Sequence, residues 1–126
     1  MSASTPSRPD IAVRRVYDPP ETQDGVRVLI DRLWPRGLRK EDAHLDDWLK
    51  VLTPSTELRR AWHAGDLPEE VFHDRYRAEL DTREAHETRE SLLERAGTGR
   101  ITLLTAVHDP AHSHVPVLLD FLRERA

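Results

Sequence analysis

Three histidines fall within seven residues, in the segment His108-Asp109-Pro110-Ala111-His112-Ser113-His114, directly after the most hydrophobic run of the chain. Neutral imidazole is the usual nitrogen ligand for zinc, nickel, copper and haem iron, and it titrates near physiological pH. The segment therefore allows two chemistries. In one, His108, His112 and His114 hold a divalent metal or haem, with Asp31 and Asp109 available as oxygen donors. In the other, His112 or His114 acts as a general acid or base. One residue separates His112 from His114, a spacing that diverges by roughly 200° on a regular helix, so joint ligation requires His112 to precede any helix. The alternative use of such histidines is to cap a helix or bond the backbone.

A second segment, Asp31-Arg32-Leu33-Trp34-Pro35-Arg36-Gly37, also follows an apolar run. Arginine offers fixed bidentate donors to carboxylate or phosphate, so Arg32 and Arg36 beside Trp34 make an anion site, with Asp31 and Asp109 orienting them. Asp31 also stands as a candidate catalytic carboxylate. The competing reading makes the segment a structural clasp, with Asp31 paired to an arginine, Trp34 in the core and Pro35 to Gly37 shaping a turn.

Both segments need elements to bring them together. Ile11 to Val16 is rich in β-branched residues and ends at Asp18-Pro19-Pro20; Val26 to Ile30 follows the turn Gln23-Asp24-Gly25. Both runs predict strands. Leu45, Trp48, Leu49 and Leu52 have the spacing of one helical face, and Pro54 lies just beyond. Ser55 is the expected N-cap of a short helix carrying Leu58, Ala61 and Trp62. Asp66-Leu67-Pro68-Glu69-Glu70 opens another helix, with Phe72, Tyr76 and Leu80 on its face. Residues 81–90 are polar, which leaves either one long helix or two with a break. Gly97 and Gly99 are expected to cap and turn the chain.

Ile101 to Val107 is continuously apolar and predicts a central parallel strand covered on both faces. A last helix should begin near Ser113 as its N-cap, with Val117, Leu118, Phe121 and Leu122 facing inward. Strands alternating with helices give an α/β fold: a small, open, mainly parallel sheet of three to four strands flanked by helices in Rossmann-like layers. Ligands of such sheets sit beyond the carboxyl ends of the strands, where both candidate segments fall.

Composition narrows the classes. At 126 residues one core is expected, formed by residues 11–126, while the Ser-, Thr- and Pro-rich residues 1–10 read as a mobile tail. A net charge of −4 with both signs interspersed provides no broad basic surface, so nucleic-acid binding is not expected; Arg32, Arg36 and Arg39 around Trp34 are its only support. The chain has no run near the roughly 18 apolar residues of a membrane helix, and residues 1–10 lack the apolar core of a secretory signal. A cytoplasmic protein without a membrane partner is the expectation. With no cysteine, disulfides and thiolate chemistry are excluded.

Weaker motifs fail on spacing. Gly97-Thr98-Gly99 is too short for a nucleotide fingerprint, and His86-Glu87-Thr88-Arg89-Glu90 has glutamate where a zinc-protease helix needs its second histidine. Ser113 lacks the strained glycine turn of a nucleophile elbow. Trp48, Trp62, Phe72, Tyr76 and Phe121 sit on apolar stripes and read as core; His44, His63, His73 and His86 read as surface.

The run Arg27-Val28-Leu29-Ile30-Asp31-Arg32-Leu33-Trp34-Pro35-Arg36-Gly37, followed by Asp47-Trp48-Leu49-Lys50, resembles the signature of the DUF488 family. The resemblance continues through Ser55 to Arg59, Phe72 to Leu80, and Thr102 to His114, and so covers nearly everything from Val13 to Leu122. It implies a small α/β domain and names no reaction. Members of that family carry His-Asn-His-Ala where this chain has His112-Ser113-His114-Val115, and a basic residue at the place of His108. Two functions follow as expectations. One is a ligand-binding or catalytic domain for a small anion, a metal or haem; the other is a non-enzymatic protein-interaction module in which Trp34-Pro35-Arg36-Gly37 is a clasp.

Overall fold

A computed structural model describes residues 10–124. Residues 1–9, most of the expected tail, lie outside the described residues, while Asp10 already belongs to the first strand. Four strands, β1 (Asp10–Arg15), β2 (Val26–Leu29), β3 (Asp47–Trp48) and β4 (Arg100–Thr105), form one parallel sheet in the order β1-β4-β2-β3. The helices are α1 (Lys40–Ala43), α2 (Thr56–His63), α3 (Glu69–Glu79), α4 (Arg83–Ala96) and α5 (Val115–Arg123). The expected open parallel sheet with flanking helices is present, and β4, the most apolar strand, is central.

The pleat sends alternate residues to opposite faces. Val28, Ile30, Ile101 and Leu103 pack in one cluster with Leu58 of α2, Phe72 and Tyr76 of α3, Leu92 of α4 and Leu118 of α5. Leu29 and Leu104 point the other way and join Val16, Trp34, Leu38, Leu45 and Trp48. The two faces are thus covered unequally: four helices on one, a tryptophan-bearing irregular segment on the other.

That segment overturns one expectation. Leu45, Trp48, Leu49 and Leu52 do not share a helix; α1 is a single turn ending at Ala43, β3 follows, and Lys50–Leu52 is a 3-10 turn. The edge of β2 wins this stretch, because Asp46 and Leu49 donate their N–H groups to the carbonyls of Arg27 and Leu29 at 2.7 and 2.9 Å. Leu45 and Trp48 then pack on one face of the sheet and Leu49 and Leu52 on the other. Helical spacing was met by residues that serve opposite layers.

Other element ends follow local chemistry. Ser55 caps α2, its Oγ accepting from the Leu58 N–H at 3.2 Å. The region resolves into two helices with a break after Glu79, since Thr82 caps α4 through the Ala85 N–H at 3.1 Å. α3 begins at Glu69 with Pro68 at its N-cap position and no side-chain cap, so Asp66 is not the cap expected of it. Gly97, at φ 58°, terminates α4 as expected, in the left-handed half of φ that glycine tolerates.

Candidate functional site

The two candidate segments leave adjacent strands, β2 and β4, and the structure joins them through Asp31. Its Oδ1 accepts from the Thr105 hydroxyl and its Oδ2 from the Ala106 N–H, each at 2.7 Å. The Trp48 indole donates to the Asp31 carbonyl at 2.7 Å, and the Trp34 indole donates to the Leu38 carbonyl at 2.6 Å. Trp34 and Trp48 meet edge to face at 5.4 Å, and Tyr17 donates its hydroxyl to the Arg36 carbonyl at 3.0 Å. These bonds tie residues 31–38 to β3, to the end of β4 and to the segment after β1.

Beside residues 31–36 lies a pocket of about 260 Å³. The β2 side contributes Asp31, Arg32, Leu33, Trp34, Pro35 and Arg36; the β4 side contributes Ala106, Val107, Ser113 and His114; α2 and its approach add Pro54, Arg59, Trp62 and His63, and α3 adds Phe72. Arg36 and His114, each near the far end of its segment, therefore line one cavity. Trp62 and Phe72 stack with centroids 4.7 Å apart and planes within 5°, forming an aromatic wall.

The histidines separate. His114 is buried, and because a carbonyl can only accept, its Nε2–H donates to the Ile30 carbonyl at 2.7 Å. Burial holds its pKa below 6.5, assisted by the charges of Arg59 and His63, while Asp31, with Oδ1 3.6 Å away, and the bond to Ile30 pull the other way. His112 instead lies on the surface with Nδ1 3.0 Å from Glu69, and that hydrogen bond and charge raise its pKa. His108 and Asp109 are also exposed, and none of His108, Asp109 and His112 lines the pocket.

The proposed ligation by His108, His112 and His114 is therefore corrected: among the described residues no group of three or more histidines, cysteines and acidic residues is placed to hold a metal ion. The reason is local. Pro110–His112 forms a 3-10 turn that turns His112 toward Glu69, while His114 sits at the start of α5 and points under β2. The same divergence separates His112 from His114 as a pair of haem ligands. Ser113, expected as the cap of α5, accepts from the Val115 N–H at 3.1 Å and donates to the Pro110 carbonyl at 2.7 Å, though the helix starts one residue later than a Ser113 N-cap implies.

Of the expected site residues, the pocket gathers Asp31, Arg32, Trp34, Arg36 and His114. Sequence reasoning missed Arg59, to which it gave no role, and His63, which it read as surface, and it placed Trp62 and Phe72 in the core alone. Arg59 and His63 are four apart on α2 and so share a face, a signal that becomes meaningful only once α2 is known to border the strand ends.

A family model described as the inactive DUF488-N3 subclade matches residues 10–126. The chain belongs to this DUF488 family. Similar proteins within reach are the uncharacterized protein YeaO of Escherichia coli (strain K12), 45% identical over 90% of this chain and 97% of its own, and the uncharacterized protein Rv3073c of Mycobacterium tuberculosis, 38% identical over 91% and 95%. The uncharacterized protein Mb3100c of Mycobacterium bovis is also 38% identical over the same shares. No solved structure matches the chain. Among the described residues of this DUF488 domain, no helix is long and apolar enough to cross a membrane.

Proposed function

We propose that this domain is a non-catalytic receptor for a small organic anion with an apolar ring, bound at the carboxyl ends of β2 and β4. One observation carries the reading: Arg32, Arg36 and Arg59 line a single pocket whose only carboxylate, Asp31, already has both oxygens occupied by Thr105 and Ala106. Among the described ion pairs none of these three guanidinium groups has an acidic partner, and such a group attracts an anion. The stacked Trp62 and Phe72 and the side chains of Trp34, Pro54 and Val107 suit a flat apolar body. A volume of about 260 Å³ falls just short of the roughly 300 Å³ at which drug-sized ligand pockets begin, which limits the ligand to a small one.

Binding is favoured over turnover for two reasons. The groups best suited to acid–base work are committed elsewhere, Asp31 to the β4 end and His114 Nε2 to Ile30. The matching family model is itself described as an inactive subclade. Phenyl phosphate and benzoate are suitable probes. Calorimetric titration should give saturable binding to the wild-type chain, weakened about ten-fold or more in Arg59→Ala, with the melting temperature of the free protein unchanged. Absence of binding by both probes, or equal affinity in Arg59→Ala, defeats the proposal.

A further inference from the structure

The pocket does not end at Arg59. An adjoining open groove along α2 is lined by Leu33, Thr56, Arg59, Arg60, His63 and Ala64, so Leu33, Arg59 and His63 border both spaces. Thr56, Arg60 and His63 follow one another at helical spacings of four and three, which puts them on one edge of α2, and of the three only His63 also lines the pocket. Arg60 is exposed, and among the described ion pairs neither Arg59 nor Arg60 has an acidic partner within 4.0 Å. Leu33, 60% exposed, is the apolar side chain at the junction.

We propose that the ligand carries a second anionic group, which leaves the pocket past Leu33 and lies along Arg60. The inference rests on the reading of the pocket as an anion receptor and adds the class of ligand: an aromatic compound with two consecutive anionic groups, of the aryl diphosphate kind. Its ring stands against the Trp62–Phe72 wall. The first anionic group is held at Arg59, where the two spaces meet, and the second is held in solvent by Arg60 and the neighbouring His63. The net charge of the chain is −4, so this cationic edge stands out against an acidic background.

Phenyl phosphate and phenyl diphosphate, titrated without divalent metal at about 0.15 M salt, separate the possibilities. The diphosphate should bind about five-fold more tightly than the monophosphate, the value of one solvent-exposed ion pair. Arg60→Ala should abolish that advantage and leave phenyl phosphate affinity unchanged. Arg75→Ala removes the same charge from an exposed position of α3 that lines neither space, and should preserve the advantage. Equal affinities in the wild type, or an advantage that survives Arg60→Ala or disappears in Arg75→Ala, overturns the extended ligand while phenyl phosphate binding leaves the pocket reading intact. Failure of both compounds to bind overturns the extended ligand, and failure of benzoate as well overturns the pocket reading with it.

Discussion

Asp31 Oδ1 and the Thr105 hydroxyl stand 2.7 Å apart and tie the exit of β2 to the exit of β4. The second carboxylate oxygen takes the Ala106 N–H, so one side chain closes two donors at the rim of the pocket. The residue with the strongest appearance of a catalytic carboxylate is thus the peg of the structure around it.

Removing that peg should cost stability. Asp31→Ala leaves the Ala106 N–H and the Thr105 hydroxyl without their acceptors, and each buried group left unpaired costs about 1–3 kcal/mol. A loss of about 2–4 kcal/mol, or a melting temperature about 10 °C lower, is expected. Asp31→Asn, which keeps one acceptor oxygen, should lose about half as much. Thermal melts of both variants check this, and melting temperatures within 2 °C or so of the wild type would contradict the tie.

His114 should make the fold acid-sensitive. Burial keeps its folded pKa below the ordinary 6.5, so the folded chain prefers the neutral ring. As the pH falls below about 6.5 the unfolded chain takes up a proton that the folded chain resists, and stability declines until the folded pKa is reached. Its contribution is fully present above 6.5. In His114→Gln, which retains an N–H to offer the Ile30 carbonyl, the decline in melting temperature between pH 7 and pH 5 should be shallower than in the wild type. A parallel decline would show that another group sets it.

His112 acts with the opposite sign and in the neighbouring window. The Glu69 hydrogen bond raises its pKa above 6.5, so its contribution to stability is complete below 6.5 and is lost as the pH rises through the raised value. Proton NMR titration of the His112 ring should show the elevated pKa in the wild type and a return toward 6.5 in Glu69→Gln. Since His112 does not line the pocket, the same variant should bind phenyl phosphate as the wild type does.

Two glycines with positive φ should respond very differently. At Gly25, φ 66°, an added Cβ would stand 2.0 Å from the Arg100 carbonyl oxygen, where the N-terminal ends of β2 and β4 approach. At Gly37, φ 79°, an added Cβ meets nothing within 4 Å. Gly25→Ala should therefore cost more than about 3 kcal/mol or prevent folding, while Gly37→Ala should cost about 1 kcal/mol from backbone strain alone. Denaturant unfolding of the pair measures the difference; similar losses in both would mean that the close approach at Gly25 is relieved.

The strands were legible in the sequence because their signal is local: β-branched runs at 11–16 and 26–30 and the apolar run at 101–107 read as strands whichever neighbours they find. The caps Ser55 and Gly97 were legible for the same reason. The stretch from Leu45 to Leu52 was not, because its spacing satisfied a helix while the free edge of β2 offered better backbone partners. A pairing with a strand about 20 residues earlier leaves no local trace.

The site divides along the same line. The sequence by itself determined which side chains stand at the strand ends, Asp31 to Arg36 and His108 to His114, because ligand-bearing loops of a parallel sheet follow its carboxyl ends. Only the tertiary structure decided which of them share a space. A 3-10 turn sends His112 out to Glu69, burial sends His114 to Ile30, and the docking of α2 beside β2 and β4 brings in Arg59, His63 and Trp62. Residue type sets what a side chain is able to do. Its partners, fixed by contacts between segments far apart in the chain, set which of those abilities remain free.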